Sequence, residues 1–238
     1  MTSKGALDRA VQLTLATAVV AMATAVVYSE LRPQATTTVA RARQPEYIEN
    51  WRALLPYARR LGDSAAPIQL IEFMDLECPA CRLFSQVILP RLSQSYGEEI
   101  AVNFVHLPLL NVHRFADQAA TASECAARDG RFAPFTDLVL RRQDSVGLKS
   151  WASFAREAGV RDTVSFWQCL KRGRAPLVDS GIALSARLGV NATPTVILNG
   201  WRVPNVTEEE VRRVIAAIRQ QRDPYNVYER RKELVRSP

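Results

Sequence analysis

The 238-residue chain is sparing with the residues that build specialised scaffolds. Its four cysteines are too few to staple a small fold, although they suffice for one or two specific thiol pairs, with three possible pairings. It has only two histidines, His106 and His113. No internal repeat or low-complexity tract occurs, which excludes a collagen-like chain. Long uncharged runs are absent apart from one near the N-terminus, which excludes a polytopic membrane protein. What is present, 47% hydrophobic and 23% charged residues, is ordinary globular composition and excludes a disordered chain. The net charge of +7 invites nucleic-acid or membrane-surface readings, so its placement matters.

The one uncharged run, residues 10–28 (AVQLTLATAVVAMATAVVY), has nineteen residues and would reach roughly 28 Å as a helix, about one hydrocarbon core. It is rich in Ala and Thr and includes Gln12, so insertion is only modestly favourable. Two readings compete, a retained transmembrane anchor and a cleaved signal peptide. Ala23-Thr24-Ala25 has the pattern of a cleavage site, but the run is longer than a usual signal core, and the anchor is preferred. Both readings export the rest of the chain. Lys4 and Arg9 fit a cytoplasmic N-terminus with the soluble domain on the periplasmic, extracytoplasmic side, although Arg32, Arg41 and Arg43 weaken the charge asymmetry. Thiols exported this way are expected to be disulfides or to handle them.

The expected organisation is an anchor or signal peptide over 1–30, then a linker and amphipathic helix over 31–63. A main domain follows over 64–222, with a basic tail over 223–238. Ile48, Trp51, Leu54, Leu55, Ala58 and Leu61 recur at helical spacing, broken near Pro56. Residues 68–73 (IQLIEF) and 100–107 (IAVNFVHL) read as strands, and 81–96 as a helix kinked at Pro90. Helical stretches at 115–128, 132–141, 151–158, 163–171 and 177–188 then fill an insertion over about 111–190, without a strand. A third strand at 195–198 turns through Asn199-Gly200, a strong hairpin signal, into 201–203. Thr207 followed by Glu208, Glu209 and Glu210 starts a last helix to about Arg219. The fold class is therefore α/β with a helical block in its middle.

Cys78-Pro79-Ala80-Cys81 lies at a strand-to-helix junction. Unpaired N–H groups and the dipole at a helix start stabilise an anion, so the first thiol should be unusually acidic. The second, one turn on, can resolve a mixed disulfide formed at the first. Structural zinc would need a second ligand pair, and neither Cys125 nor Cys169 sits in a C-x-x-C or beside a histidine. A passive surface disulfide is the other bland alternative.

Residues 71–81 (IEFMDLECPAC) and 190–196 (VNATPTV), with 105–109 (VHLPL) and the Ala-rich stretch around Glu124-Cys125-Ala126, resemble the DsbA-like thiol–disulfide oxidoreductases of the thioredoxin superfamily. The resemblance runs from about Pro67 to Arg219. It implies a thioredoxin fold with a helical insertion, preceded here by one transmembrane helix. It implies catalytic roles for Cys78, the attacking thiol, and Cys81, the resolving one. Glu72 would be a buried acid with a raised pKa that relays a proton to Cys81. Pro194 would be cis, and Thr193 would offer backbone hydrogen bonds to a substrate segment. One departure stands out: strongly oxidising members carry a His between the cysteines, where this chain has Pro79 and Ala80. Without that imidazole the thiolate should be less stabilised and the disulfide a weaker oxidant.

Some relatives carry a second, structural disulfide, and Cys125 and Cys169 are its expected partners; two buried free thiols are the alternative. Closing that loop would stabilise by roughly 3–4 kcal/mol. His106 and His113 read as structural, and neither a metal nor a cofactor is expected. Trp51, Trp151, Trp167 and Trp201 read as core or groove aromatics. Residues 31–62 carry six Arg against two Glu, a basic collar suited to anionic headgroups or an acidic partner. No nucleic-acid motif accompanies the charge, so nucleic acid is not an expected partner. The expected partners are protein substrates with thiols or disulfides, the membrane, and a membrane redox partner. The rival function is a thioredoxin-like accessory subunit of a larger membrane complex, its redox activity incidental or lost.

Overall fold

The computed structural model of the chain describes residues 45–226 and the single position Met22. The expected anchor at 10–28, most of the linker and the tail beyond 226 lie outside the described residues. Among the described residues no helix is long and apolar enough to cross a membrane.

Six strands form one sheet in the order β1-β6-β5-β3-β4-β2. The central strand, β3 (Ile68–Met74), is buried along its whole length. It runs parallel to β4 (Ile100–His106) and antiparallel to β5 (Thr195–Leu198). Burial on both faces explains why IQLIEFM reads as a nearly continuous apolar run rather than an alternating one. Successive side chains still point to opposite faces. Ile71 and Phe73, with Val105 and Ile197, pack against Trp51, Leu54 and Leu184. Leu70 and Met74 face the other way, into the larger core that holds Cys78, Cys81 and Phe84. Glu72 shares their parity and so belongs to the cysteine side.

The segment expected as an amphipathic helix is not one. Residues 46–61 form edge strand β1 (Glu46–Tyr47), a 3₁₀ turn (Trp51–Tyr57) and edge strand β2 (Arg59–Leu61). β1 pairs with β6 (Trp201–Arg202) and β2 with β4, so this segment borders the sheet on both sides. Pro56 and the short apolar spacing fit a 3₁₀ turn, which buries Trp51 and Leu54 without a full helical stripe. Trp51 packs on Gly200, where an added Cβ would meet its ring at 2.6 Å. Asn199 (φ 43°) and Gly200 (φ 95°) both take the positive φ that a tight two-residue hairpin requires.

After β3 come α1 (Pro79–Leu83), a π turn (Phe84–Ile88) and α2 (Leu89–Tyr96). The kink expected at Pro90 takes the form of this wider turn, in which Leu89 N–H reaches back to Phe84 O. Proline lacks an N–H and its ring crowds the carbonyl four residues back, and a π turn relieves both. The insertion contains α3 (Ala116–Ala127), α4 (Phe132–Arg141), α5 (Trp151–Glu157), α6 (Thr163–Lys171) and α7 (Pro176–Arg187). Among the described residues it holds no strand, only an isolated bridge between Val146 and Lys149. α7 lies close on β4: a Cβ at Gly181 would meet His106 O at 2.2 Å, so only glycine fits there. The last helix, α8 (Glu208–Arg219), is capped by the Thr207 hydroxyl, which accepts from Glu210 N–H at 3.2 Å.

Candidate active site

β3 ends at Met74, and four residues later Cys78 caps α1 with extended backbone (φ −73°, ψ 120°). Pro79 follows at the first helical position, where its missing N–H costs nothing. Cys78 and Cys81 are both free thiols. The loop after α7 brings Thr193 and the cis Thr193–Pro194 bond against them. As a thiol, Cys78 donates to Thr193 O at 3.2 Å.

The two sulfurs are electrostatically unlike. The Cys78 pKa is lowered to about 5, chiefly by a hydrogen bond from the Cys81 thiol, against the opposing effect of burial. Thr193 and the N–H groups of Cys81 and Ala80 add to the lowering. The Thr193 hydroxyl is buried without a partner while Cys78 is protonated, so it is ready to donate to the thiolate. Stabilisation of this thiolate therefore comes from hydrogen bonds within the motif and the facing loop, with no imidazole involved. Cys81 is fully buried, and its thiol is pushed well above the usual range by desolvation first, then by the bond to Cys78 and by the Glu72 and Cys78 charges. Its Sγ accepts from Asp75 N–H at 3.5 Å.

Glu72 is 0% exposed, opposite Phe104 on β4 and Val196 on β5. Neither carboxyl oxygen has a hydrogen-bond partner. Desolvation, with a smaller contribution from Cys78, raises its pKa well above the carboxylate range. A carboxyl with its pKa raised beneath two thiols can give a proton while neutral and take one back only when ionised.

Sequence reading missed the residues that hold the loop between β3 and α1. The buried Asp75 carboxylate accepts from Glu77 N–H, Leu109 N–H and His113 Nδ1, each at 2.8 Å. The Glu77 carboxylate accepts from Phe115 N–H at 2.5 Å, just before α3. Burial raises the Glu77 pKa, and that backbone bond partly offsets the rise. From the insertion, Gln143 donates to Leu76 O and Cys78 O, both at 2.9 Å. The acidic pair flanking Leu76 was a visible signal, since carboxylates beside buried cysteines need donors. Gln143, 65 residues from Cys78, gave none.

The remaining predicted residues sit elsewhere. Cys125 on α3 and Cys169 on α6 form a disulfide (Sγ–Sγ 1.99 Å). His106 Nε2 lies 3.0 Å from Glu124 Oε1, and Arg59 of β2 grips the same buried carboxylate. His113 serves Asp75, as above. Among the described residues no cluster of three or more His, Cys, Asp or Glu side chains is arranged to hold a metal. Beside Pro79, the exposed Leu83 and Val87 line an open recess of about 410 Å³ with Arg82, Gln86 and Arg141.

The fold has counterparts among known proteins. Among solved structures, oxidised BdbD from Bacillus subtilis matches with a TM-score of 0.62 and 21% identity, covering 69% of this chain and 94% of its own. DsbA from Chlamydia trachomatis gives 0.58 and 22%, covering 68% and 90%. Reduced DsbG from Mycobacterium tuberculosis gives 0.55 and 24%, covering 72% and 90%. These likenesses support the DsbA-like form of the fold. Curated relatives include Na(+)/H(+) antiporter NhaA 1 from Mycolicibacterium gilvum, 31% identical over 144 residues, which are 59% of this chain and 23% of that protein. NhaA 3 from Salinispora tropica is 32% identical over 145 residues, 59% of this chain and 21% of that protein. The match thus spans under a quarter of these relatives' length. The thioredoxin family profile matches residues 55–217, and the chain belongs to that family.

Proposed function

We propose that the chain exchanges disulfides with exported or membrane-associated proteins through Cys78 and Cys81. The observation that carries this reading is the asymmetry of the pair: an acidic Cys78 at a helix start and a buried Cys81 held protonated above an unpartnered Glu72. In the reducing direction the Cys78 thiolate attacks a substrate disulfide, forming a mixed disulfide and releasing one substrate thiolate. Once Cys78 is in the mixed disulfide its charge no longer opposes ionisation of Glu72. Glu72, having given its own proton to solvent, takes the proton of Cys81, which attacks Cys78 Sγ, frees the second substrate thiolate and leaves Cys78–Cys81 oxidised. Run backwards, the same steps oxidise a substrate dithiol, and protonated Glu72 supplies the proton to departing Cys81. Thr193 flanks the sulfur where an extended substrate segment would lie, and the Leu83–Val87 recess offers it an apolar foothold.

The test is a redox titration of the full chain with thiol alkylation, beside Cys78→Ser. The expected result is one two-electron transition at Cys78–Cys81 and loss of exchange with a model disulfide in the variant. An unreactive Cys78, or exchange that survives Cys78→Ser, would refute the proposal.

The NhaA relatives favour a second reading, in which the domain serves a membrane protein complex and its thiols are incidental. Both readings take residues 10–28 as an anchor, with a cytoplasmic N-terminus and the thioredoxin domain outside the cytoplasm. Purification in mild detergent separates them. A stoichiometric complex that persists in Cys78→Ala/Cys81→Ala supports the subunit role; its absence supports the free oxidoreductase.

A further inference from the structure

The helical insertion carries a second recess that shares no residue with the cysteine site. It holds about 380 Å³ between α3, α5 and α6, within the size range of small-molecule sites. Trp151 and Trp167 form its aromatic walls, Thr121 lies along α3, and Lys171 stands with Arg174 among the lining residues. Trp151 is set in place by Phe135 and Phe154 behind it and by its indole N–H, which donates to Gln118 at 3.1 Å. Trp167 is 47% exposed, an unusual degree for so large an apolar ring. The disulfide Cys125–Cys169 ties α3 to α6, fixing the spacing of the walls.

Two groups in this recess lack partners that a ligand would provide. Thr121 is 4% exposed and its hydroxyl oxygen is shut off from solvent without a hydrogen-bond partner, although helical threonines commonly bond a carbonyl in the preceding turn; a ligand in the recess reaches it through a rotation about χ1. Lys171 stands 5.6 Å from the Trp167 ring centre and makes no ion pair among the described residues. The other charges are already matched, since Arg174 binds both Asp117 and Asp179. The recess therefore offers one free cation, one orphan hydroxyl and two aromatic surfaces. A cationic ligand would meet Lys171 and is disfavoured, whereas an anion is not.

We propose that this recess binds a planar aromatic carboxylate of one or two rings, stacked on Trp167 and Trp151, its carboxylate accepting from Lys171 and the Thr121 hydroxyl. Stacking on the indoles supplies contact area, and the charged hydrogen bonds select the sign of the ligand.

The test is a titration of the ¹⁵N-labelled full chain with naphthalene-2-carboxylate, reading the four tryptophan indole signals. Those of Trp151 and Trp167 should move saturably, while those of the buried Trp51 and Trp201 stay still as internal controls. Naphthalene-2-methylammonium should shift them at least about tenfold more weakly. Lys171→Gln should weaken carboxylate binding about tenfold and Thr121→Val about fivefold, in line with losing a charged and a lesser hydrogen bond. Both variants must keep the parent melting temperature; Thr121→Ser, which keeps the hydroxyl, serves if Thr121→Val does not. Absence of saturable shifts, equal movement of all four indoles, or undiminished binding to Lys171→Gln would each overturn the proposal.

Discussion

Cys78 and Cys81 sit on one helical turn, whereas Cys125 and Cys169 are 44 residues apart and join two helices. Both pairs are buried, yet the first is a free dithiol and the second a disulfide. Their partners differ in kind. Cys125 and Cys169 share the large apolar core that also holds Cys78 and Cys81, but there they are bonded to each other across α3 and α6. Cys78 meets N–H groups, a hydroxyl and a second thiol, and Cys81 feels the charge of an acid that has no hydrogen-bond partner. Burial alone therefore does not make a cysteine inert. What matters is whether the neighbours favour the charged sulfur.

The sharpest way to break this comparison is the pH profile of alkylation in the reduced protein. Cys78 should gain reactivity through about pH 5 and level off by neutrality, with Cys81 slower by roughly a hundredfold or more at pH 7. Because its folded pKa lies below the unfolded value, Cys78 stabilises the reduced fold most above the unfolded thiol pKa. That contribution disappears as pH falls through about 5. A single titration near the ordinary thiol value would erase the distinction between the pairs.

Removing the other pair comes next. Cys125→Ala/Cys169→Ala should lower stability by about 3–4 kcal/mol in denaturant unfolding, from the loop it closes, while Cys78 alkylation keeps its rate. A changed rate would mean that the structural disulfide tunes the reactive one.

Glu72→Leu should raise stability by about 1–3 kcal/mol at pH 7, because it replaces an orphan buried carboxyl. The sign follows from the raised pKa. Glu72 weakens the fold as pH climbs from its unfolded value towards its folded one, and the variant loses that slope. The same substitution should slow resolution by Cys81 and spare attack by Cys78, which single-turnover trapping of the mixed disulfide would separate.

The smallest effect is expected for Gln143→Ala, about 1–2 kcal/mol, since the two carbonyls it serves become under-satisfied. Faster hydrogen exchange at residues 76–78 would locate the loss.

Much of this was legible in the chain. The apolar run at 68–74, Asn199-Gly200 and Thr207 with its glutamates gave strands, hairpin and cap, because each depends on neighbours a few residues away. The cysteines, Glu72 and Thr193-Pro194 were readable through resemblance, and the structure brings them together. What stayed hidden depends on partners distant in sequence. Trp51 looked helical because its periodicity cannot tell a 3₁₀ turn packed on Gly200 from a helix. Gln143 and His113 carry no pattern of their own, and their roles exist only once the insertion folds back over the loop.

The short strands at the sheet's two borders have a consequence for solubility. β1 and β2 are two and three residues long and carry Glu46, Arg59 and Arg60, so neither border offers a long apolar template to which another chain could add. Brief, charged borders leave the sheet without an edge along which a second chain could extend it, whatever its cysteines act on.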